Sequence, residues 1–496
     1  GAAPIGALRA QAAALAAGLS DPALQPKFVE AAPNALDPGY KYLAPYTVGV
    51  GLNADHQTGL INPTTNARLT TPIFGYGENG AYLWPGKTFE VQSGTPTTVT
   101  WNNNLPNFHL LPVDTSLHWA YSLHGYTGNT IENAGVPIVV HLHGGHTAFQ
   151  FDGNPEFFYS PGNAVVGPQW DNVPEGFTNT FTYLNDQPAG NLWYHDHALG
   201  ITRLNVYAGM AGFYFVRDAN DTGAAGNPLG LPAGPFELAY AIQDRMFDAS
   251  GNLFYPAFPG EPFWADFIPP GYTGTTPSAL AEFFGDHMVV NGKIWPRADV
   301  EPRQYRIHLL NGCDSRFLAI RLRAAKAPTS IDLQGAGRPI PFWVVGSDQG
   351  LAAAATQVDS LIIGPGERYD IVVDFSDPAL AGQRIIMENI ANDAPFAGNP
   401  RGSRASTFTD RQTDRIMAFD VVVPLSGGTA APFNPANFGA YTPIPGTNDA
   451  RVRKVALFEG MDEYGRLQPL LGTAEPATDY QGNPINWPNT QPYIDA

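Results

Sequence analysis

The sequence predicts an all-β chain built of several sandwich or barrel units. Helical periodicity is scarce after residue 20, and short β-branched and aromatic runs bounded by Gly, Pro, Asn or Asp recur in its place. Turn formers are abundant and scattered, with 53 Gly and 46 Pro in 496 residues, as tight connections between many short strands require. A chain of this length holds roughly two to four domains. A hydrophobic content of 44% is enough for ordinary cores.

Residues 1–40 read as an N-terminal extension. From Ala2 to Leu19 it is Ala-rich, carries only Arg9 and lacks the basic start of a secretion signal; it is either the remnant of a removed leader or an added start. A first unit covers 41–217. Its strand-like runs are 97–101, 136–142 and 178–183, closed by Gly212-Phe213-Tyr214-Phe215-Val216. The polar, Gly-rich stretch 218–235 reads as a linker. A second unit covers 236–423, with strand-like runs at 305–310, 317–322 and 369–375, and 424–450 is a further linker rich in Gly, Pro, Thr and Asn. A third segment, 451–496, opens on a strand at 452–458. It is too short for another sandwich of about 100 residues. The expectation is therefore two complete units and the beginning of a third, completed elsewhere. An unpaired strand edge at 452–458 would need a cover, which suggests a second polypeptide as partner.

The formal charge is −18, from 27 basic and 45 acidic side chains. Such a surface repels nucleic acid and anionic membranes. No run of about 18 apolar residues is present, so no membrane span is expected. The single cysteine, Cys313, excludes an intrachain disulfide framework. That is compatible with the extracellular or periplasmic location expected here, since secreted bacterial proteins need not carry disulfides.

Two strings concentrate the chemistry: His141-Leu142-His143-Gly144 and Trp193-Tyr194-His195-Asp196-His197. On a strand, residues i and i+2 face the same way, about 6.6 Å apart. Each His-x-His can aim two nitrogens at one metal or metal cluster, and neighbouring strands would bring the two pairs together. Imidazole suits copper, zinc, iron and nickel alike. Gly144 and Gly145 let the chain bend away after the first pair. The remaining histidines (His56, His109, His118, His124, His146, His287 and His308) read as hydrogen-bonded core or surface residues. His146 is a weaker candidate than Asp152 for supporting a ligand from behind. Cys313 lies far along the chain from either pair.

From 27 to 466 the chain resembles bacterial multicopper oxidases of the laccase, spore-coat laccase, bilirubin oxidase and phenoxazinone synthase group. His-Leu-His-Gly-Gly followed by Asp152-Gly153 and Pro155-Glu156 resembles that group's first copper motif. Trp193 to Ala198, followed by Thr202-Arg203-Leu204-Asn205-Val206-Tyr207-Ala208-Gly209, resembles the second. Further matches are Asp244-Arg245, Val290-Asn291-Gly292-Lys293, Gly346-Ser347-Asp348, Pro365-Gly366-Glu367-Arg368-Tyr369-Asp370 and Asp462-Glu463-Tyr464-Gly465-Arg466.

The resemblance implies tandem cupredoxin-like domains and copper as cofactor. It implies one-electron oxidation of phenolic, aromatic amine or similar small reducing substrates at a mononuclear blue copper, coupled to four-electron reduction of O2 to water at a trinuclear cluster. By position, His141 corresponds to the ligand of the cluster's single copper, His143 and His195 to ligands of one copper of the coupled pair, and His197 to a ligand of the other. Asp152 corresponds to an acidic residue that moves protons to oxygen intermediates.

The family's remaining ligands come from a His-Pro-x-His-x-His motif and a His-Cys-His motif, and neither occurs here: the last histidine is His308, and Cys313 has no adjacent histidine. The blue copper is therefore expected only with ligands from outside this sequence, supplied by a second polypeptide or by the rest of a longer chain. The alternative is a non-catalytic cupredoxin-repeat scaffold without a full copper complement. The retained His-x-His pairs argue against it, because a scaffold has no need of them. Only six methionines, all dispersed, lower the expectation of a cuprous oxidase.

Overall fold

The computed structural model describes residues 18–396, 398, 412–427, 432–439, 455–473, 477–478 and 484–485. The Ala-rich start through residue 17, most of the 424–450 stretch and 451–454 lie outside the described residues.

The first unit contains β1 (Tyr46–His56), β2 (Thr71–Glu78), β3 (Ala81–Leu83), β4 (Gly86–Gln92), β5 (Thr97–Asn104), β6 (Val140–His143), β7 (Thr180–Tyr183), β8 (Gly190–Asp196) and β9 (Ala211–Arg217). They form two sheets, β3-β2-β1-β5-β7 and β4-β9-β8-β6. The inner faces carry alternating large side chains. Tyr76, Phe89, Trp101, Tyr194 and Tyr214 pack as edge-on and tilted rings with centroids 4.9–5.8 Å apart. Each buried ring of this size contributes about 1.5–3 kcal/mol of transfer free energy.

The second unit repeats the scheme. In the first, β1 runs parallel to β5 and β4 parallel to β9. In the second, Glu237–Phe247 runs parallel to Gln304–Asn311, and Arg297–Val300 parallel to Arg415–Val421. Among the described residues, each unit thus has one parallel pair of strands in each of its two sheets, with the remaining strand ladders antiparallel.

Two local readings are modified. The run 136–142 pairs as a strand only from Val140. Pro137 has no N–H to give, Ile138 exchanges hydrogen bonds with Tyr159, and the Val139 N–H goes to the Asp196 carboxylate. The Gly-rich 218–235 is anchored: Asp221 is buried between the guanidinium groups of Arg217 and Arg306.

Beyond the second unit, Val455–Met461 pairs antiparallel with Leu467–Thr473. In the turn between them Arg466 is buried, bonding Asp114 of the first unit at 2.8 Å and Ser278 of the second at 3.2 Å. The Asp-Glu-Tyr-Gly-Arg string thus pins this hairpin where the two units meet. Among the described residues no helix is long and apolar enough to cross a membrane.

Candidate metal centre

The β6–β8 ladder builds the site. Its register sets His141 opposite His195 and His143 opposite Trp193. Residues directly opposite on antiparallel strands share a face, as do residues two apart on one strand. His141, His143 and His195 therefore project from one side of the sheet. His197, just past the end of β8, joins them because its N–H is held by the Val139 carbonyl at 2.8 Å. The His141 ring lies 5.2–5.5 Å, centroid to centroid, from the other three. Tyr194 and Asp196 point the other way, into the protein.

The ring nitrogens are sorted by what holds them. His141 Nδ1 donates to the Asp152 carbonyl, and His195 Nδ1 to the Asp196 carbonyl at 2.7 Å. Both rings thus keep Nε2 as the free donor atom, the usual arrangement behind a metal-bound imidazole. His143 Nδ1 faces His195 Nε2 at 3.3 Å, the separation of two nitrogens each about 2.0 Å from one metal at a tetrahedral angle. Nitrogens of His141, His143 and His195 all lie within 4.8 Å of one another. His197 Nδ1 is buried with no hydrogen-bond partner, an orphan that a metal would satisfy. Burial, with smaller contributions from neighbouring positive charge, lowers the His143 pKa to about 3 and drives those of His195 and His197 down as well. These three imidazoles are held neutral, as a ligand must be. These donors fit copper.

The sequence placed several supporting residues in its motifs without showing what they do. Trp193 stacks on both His143 and His195, with centroids 5.0 and 4.2 Å away, and fixes their ring planes. Asp196 is fully buried behind the ligand strand and accepts from the N–H groups of Val139 and Ala198 and from Asn205. Desolvation pushes its carboxyl up to about 7. The second motif's Asn205 is thereby explained, since its amide clamps the loop behind His197. Arg368, from the second unit, is buried against Gly144 and bonds the Asn191 carbonyl of β8 at 3.0 Å.

Asp152 is placed behind His141 rather than among the four rings. Its carboxylate lies 3.7 Å from His141 Nδ1, accepts from the Thr147 hydroxyl at 2.6 Å and is half-exposed. His146 sits at the surface beside Asp186. His56, His109, His287 and His308 are hydrogen-bonded to other parts of the protein. The remoteness of Cys313 needs correction. It is distant in sequence, but the second unit packs onto the first and puts it on the wall of a cavity of about 320 Å3 that the four histidines also line. Burial pushes its thiol well above the usual range, the opposite of what a thiolate ligand needs.

No protein-family model matches the chain. Individual relatives do. The chain is 35% identical over 402 residues to a laccase of Bacillus subtilis, covering 81% of this chain and 67% of the relative. It is 33% identical over 390 residues to a laccase of Bacillus stratosphericus (78% and 65%), and 32% identical over 404 residues to multicopper oxidase LPR1 homolog 3 of Oryza sativa subsp. japonica (79% and 66%). The chain thus spans about two thirds of the length of these relatives. Among solved structures, the McoA multicopper oxidase of the hyperthermophile Aquifex aeolicus superposes with a TM-score of 0.56 at 21% identity, over 93% of this chain and 78% of that one. A multicopper oxidase of Pediococcus acidilactici does so with 0.52 at 20%, over 90% and 71%. At these identities the structures speak for the fold, a cupredoxin-like β-sandwich repeat, while the closer sequence matches speak for descent. On those sequence matches, this chain belongs to the multicopper oxidase family, whose metal is copper.

Proposed function

We propose that this chain supplies the amino-terminal half of a trinuclear copper site in an oxidase that couples one-electron oxidation of phenolic, aromatic amine or similar substrates to four-electron reduction of O2 to water. The observation that carries the reading is the convergence of four imidazoles on one face of the β6–β8 ladder. In this reading His141 binds the single copper, His143 and His195 share one copper of the coupled pair, and His197 binds the other. Bound copper would supply the electron storage that lets O2 be reduced without release of partly reduced oxygen.

The chain's own residues prepare the site. The Asp152 and Asp196 carbonyls fix which nitrogen of His141 and His195 is free. Trp193 covers a ring face of His143 and of His195. Asp152, half-exposed beside His141, passes protons from solvent. The four further imidazoles and the blue-copper ligands come from outside these 496 residues, on a partner polypeptide or further along a longer chain.

Copper titration of the purified chain tests the reading, with metal content measured after gel filtration. We expect retained copper, and at least about tenfold weaker retention in His143→Ala or His195→Ala, as for loss of a metal-supporting residue. Addition of the segment that carries the His-Cys-His motif is expected to give a blue absorption band and oxygen uptake. A chain that retains no copper would instead be the scaffold.

A further inference from the structure

We infer that Asp314, contributed by the second unit, is a proton-donating residue of the four-histidine cavity. This rests on the copper-site reading above and extends it to a residue outside both histidine motifs. Reduction of O2 to two waters consumes four electrons and four protons. The electrons come from the reducing substrate, and the protons need a route to the oxygen. Asp152 stands behind the His141 ring, on the solvent side. Asp314 is the carboxylate on the wall of the cavity itself, in the same enclosure as His141, His143, His195 and His197.

Its setting suits an acid. The Tyr255 hydroxyl donates to Asp314 Oδ2 and holds the carboxyl in place. Tyr255 is itself fixed, stacked on Phe283 with centroids 4.9 Å apart and edge-on to Tyr207 at 4.8 Å. Asp314 is exposed to solvent where it lines the cavity, with protein atoms crowded around its carboxyl. Desolvation raises its pKa, against the pull of the Tyr255 hydrogen bond and of Arg203 and Arg245; Asp244 adds to the rise. Arg203 packs over the Tyr255 ring with its guanidinium carbon 5.3 Å from the centroid, and its Nε is buried without a partner. The guanidinium can thus answer the charge left on Asp314 after proton loss. A cavity of about 320 Å3 holds several water molecules at about 30 Å3 each, enough to carry a proton across. In the step, the Asp314 O–H bond breaks, its proton goes to the oxygen being reduced, and bulk water returns a proton to the carboxylate. No electron passes through the residue.

Two measurements test this. In the chain without copper, infrared difference titration of wild type against Asp314→Asn is expected to show a protonated carboxyl that persists above the ordinary aspartate range and is missing from the variant. In the copper-loaded oxidase with its remaining donors, Asp314→Asn is expected to slow reoxidation by O2 by about a hundredfold, the low end for a positioned acid. It should also abolish the solvent isotope effect on that step and leave copper content and the KM for the reducing substrate unchanged. Asp314→Glu is expected to restore most of the rate with a shifted pH profile. An ordinary ionised Asp314 in the infrared titration, or an Asp314→Asn variant with the wild-type pH profile and isotope effect, would overturn the inference. Wild type that binds no copper would instead bring down the four-histidine reading itself.

Discussion

At the scale of single residues, the four histidines were legible because their chemistry is local. Two imidazoles two apart on a strand are a unit that needs no tertiary knowledge. What holds them was less legible. Asp314 and Cys313 reach the cavity, and Arg368 reaches β8, only because the second unit packs on the first, and no spacing rule spans more than a hundred residues. Asp152 was legible as a position but not as a geometry, since it is its backbone carbonyl that bonds His141. Gly153, next to it, exposes how tightly that contact is made. Its φ is +80°, and a Cβ there would meet His141 Cα and Cβ at 2.7 Å and the Val140 carbonyl oxygen at 2.8 Å. Gly153→Ala is expected to cost about 1–3 kcal/mol from strain at a positive φ and to weaken copper retention by roughly tenfold, because a ligand of the site must move. Denaturant unfolding and copper titration read the two effects separately. Unchanged copper binding would mean that the Asp152 loop does not position His141.

At the scale of elements, most strands were legible from alternation and turn residues, and their pairing was not. The chain shows that 190–196 can be a strand, but not that its partner is β6 in the register that puts His141 opposite His195. That register follows from the other face of β8. Tyr194 anchors it there, buried between the rings of Tyr76 and Phe89 and donating its hydroxyl to the Lys87 carbonyl at 2.7 Å. A one-residue slip would swap Tyr194 with a histidine between core and cavity, which the core forbids. Tyr194→Phe keeps the ring and loses the hydroxyl's bonds to the Lys87 carbonyl and the Tyr42 hydroxyl, for an expected cost of about 1–2 kcal/mol, with copper binding unchanged. Tyr194→Ala removes the anchor, for an expected cost of about 3–5 kcal/mol, and should weaken copper binding although no ligand is altered. Equal copper affinity in the two variants would separate the register from the aromatic core. The 218–235 stretch has the composition of a linker, and only the fold reveals that Arg217 and Arg306 capture Asp221.

At the scale of the whole molecule, the junction between the two units is a buried charge network around His308. Its Nε2 bonds Glu237 at 2.6 Å and its Nδ1 bonds Asp370, with all three side chains at most 4% exposed. Arg306 bonds Asp221 and Asp370, and Arg217 ties Glu237 to Glu90 of the first unit. Burial alone would lower the His308 pKa, but the carboxylates of Asp370 and Glu237 outweigh it, and the net shift is upward. The imidazolium is therefore the form that fits, since the network would otherwise hold an uncompensated carboxylate. The sign follows from linkage. A group whose pKa is raised on folding binds its proton more tightly in the folded state. Its stabilisation is complete below the unfolded value of about 6.5 and is lost as pH rises through the folded value. His308→Gln keeps a polar side chain but removes the charge. It is expected to cost about 3–5 kcal/mol at pH 6, as for breaking a buried pair, and progressively less as the pH is raised from about 6.5 towards the folded value. Urea unfolding of wild type and variant at pH 6, 7.5 and 9 measures the difference directly. A gap that stays constant across this range would show that His308 contributes through shape and hydrogen bonding rather than charge, and that the junction between the units is not held by its protonation.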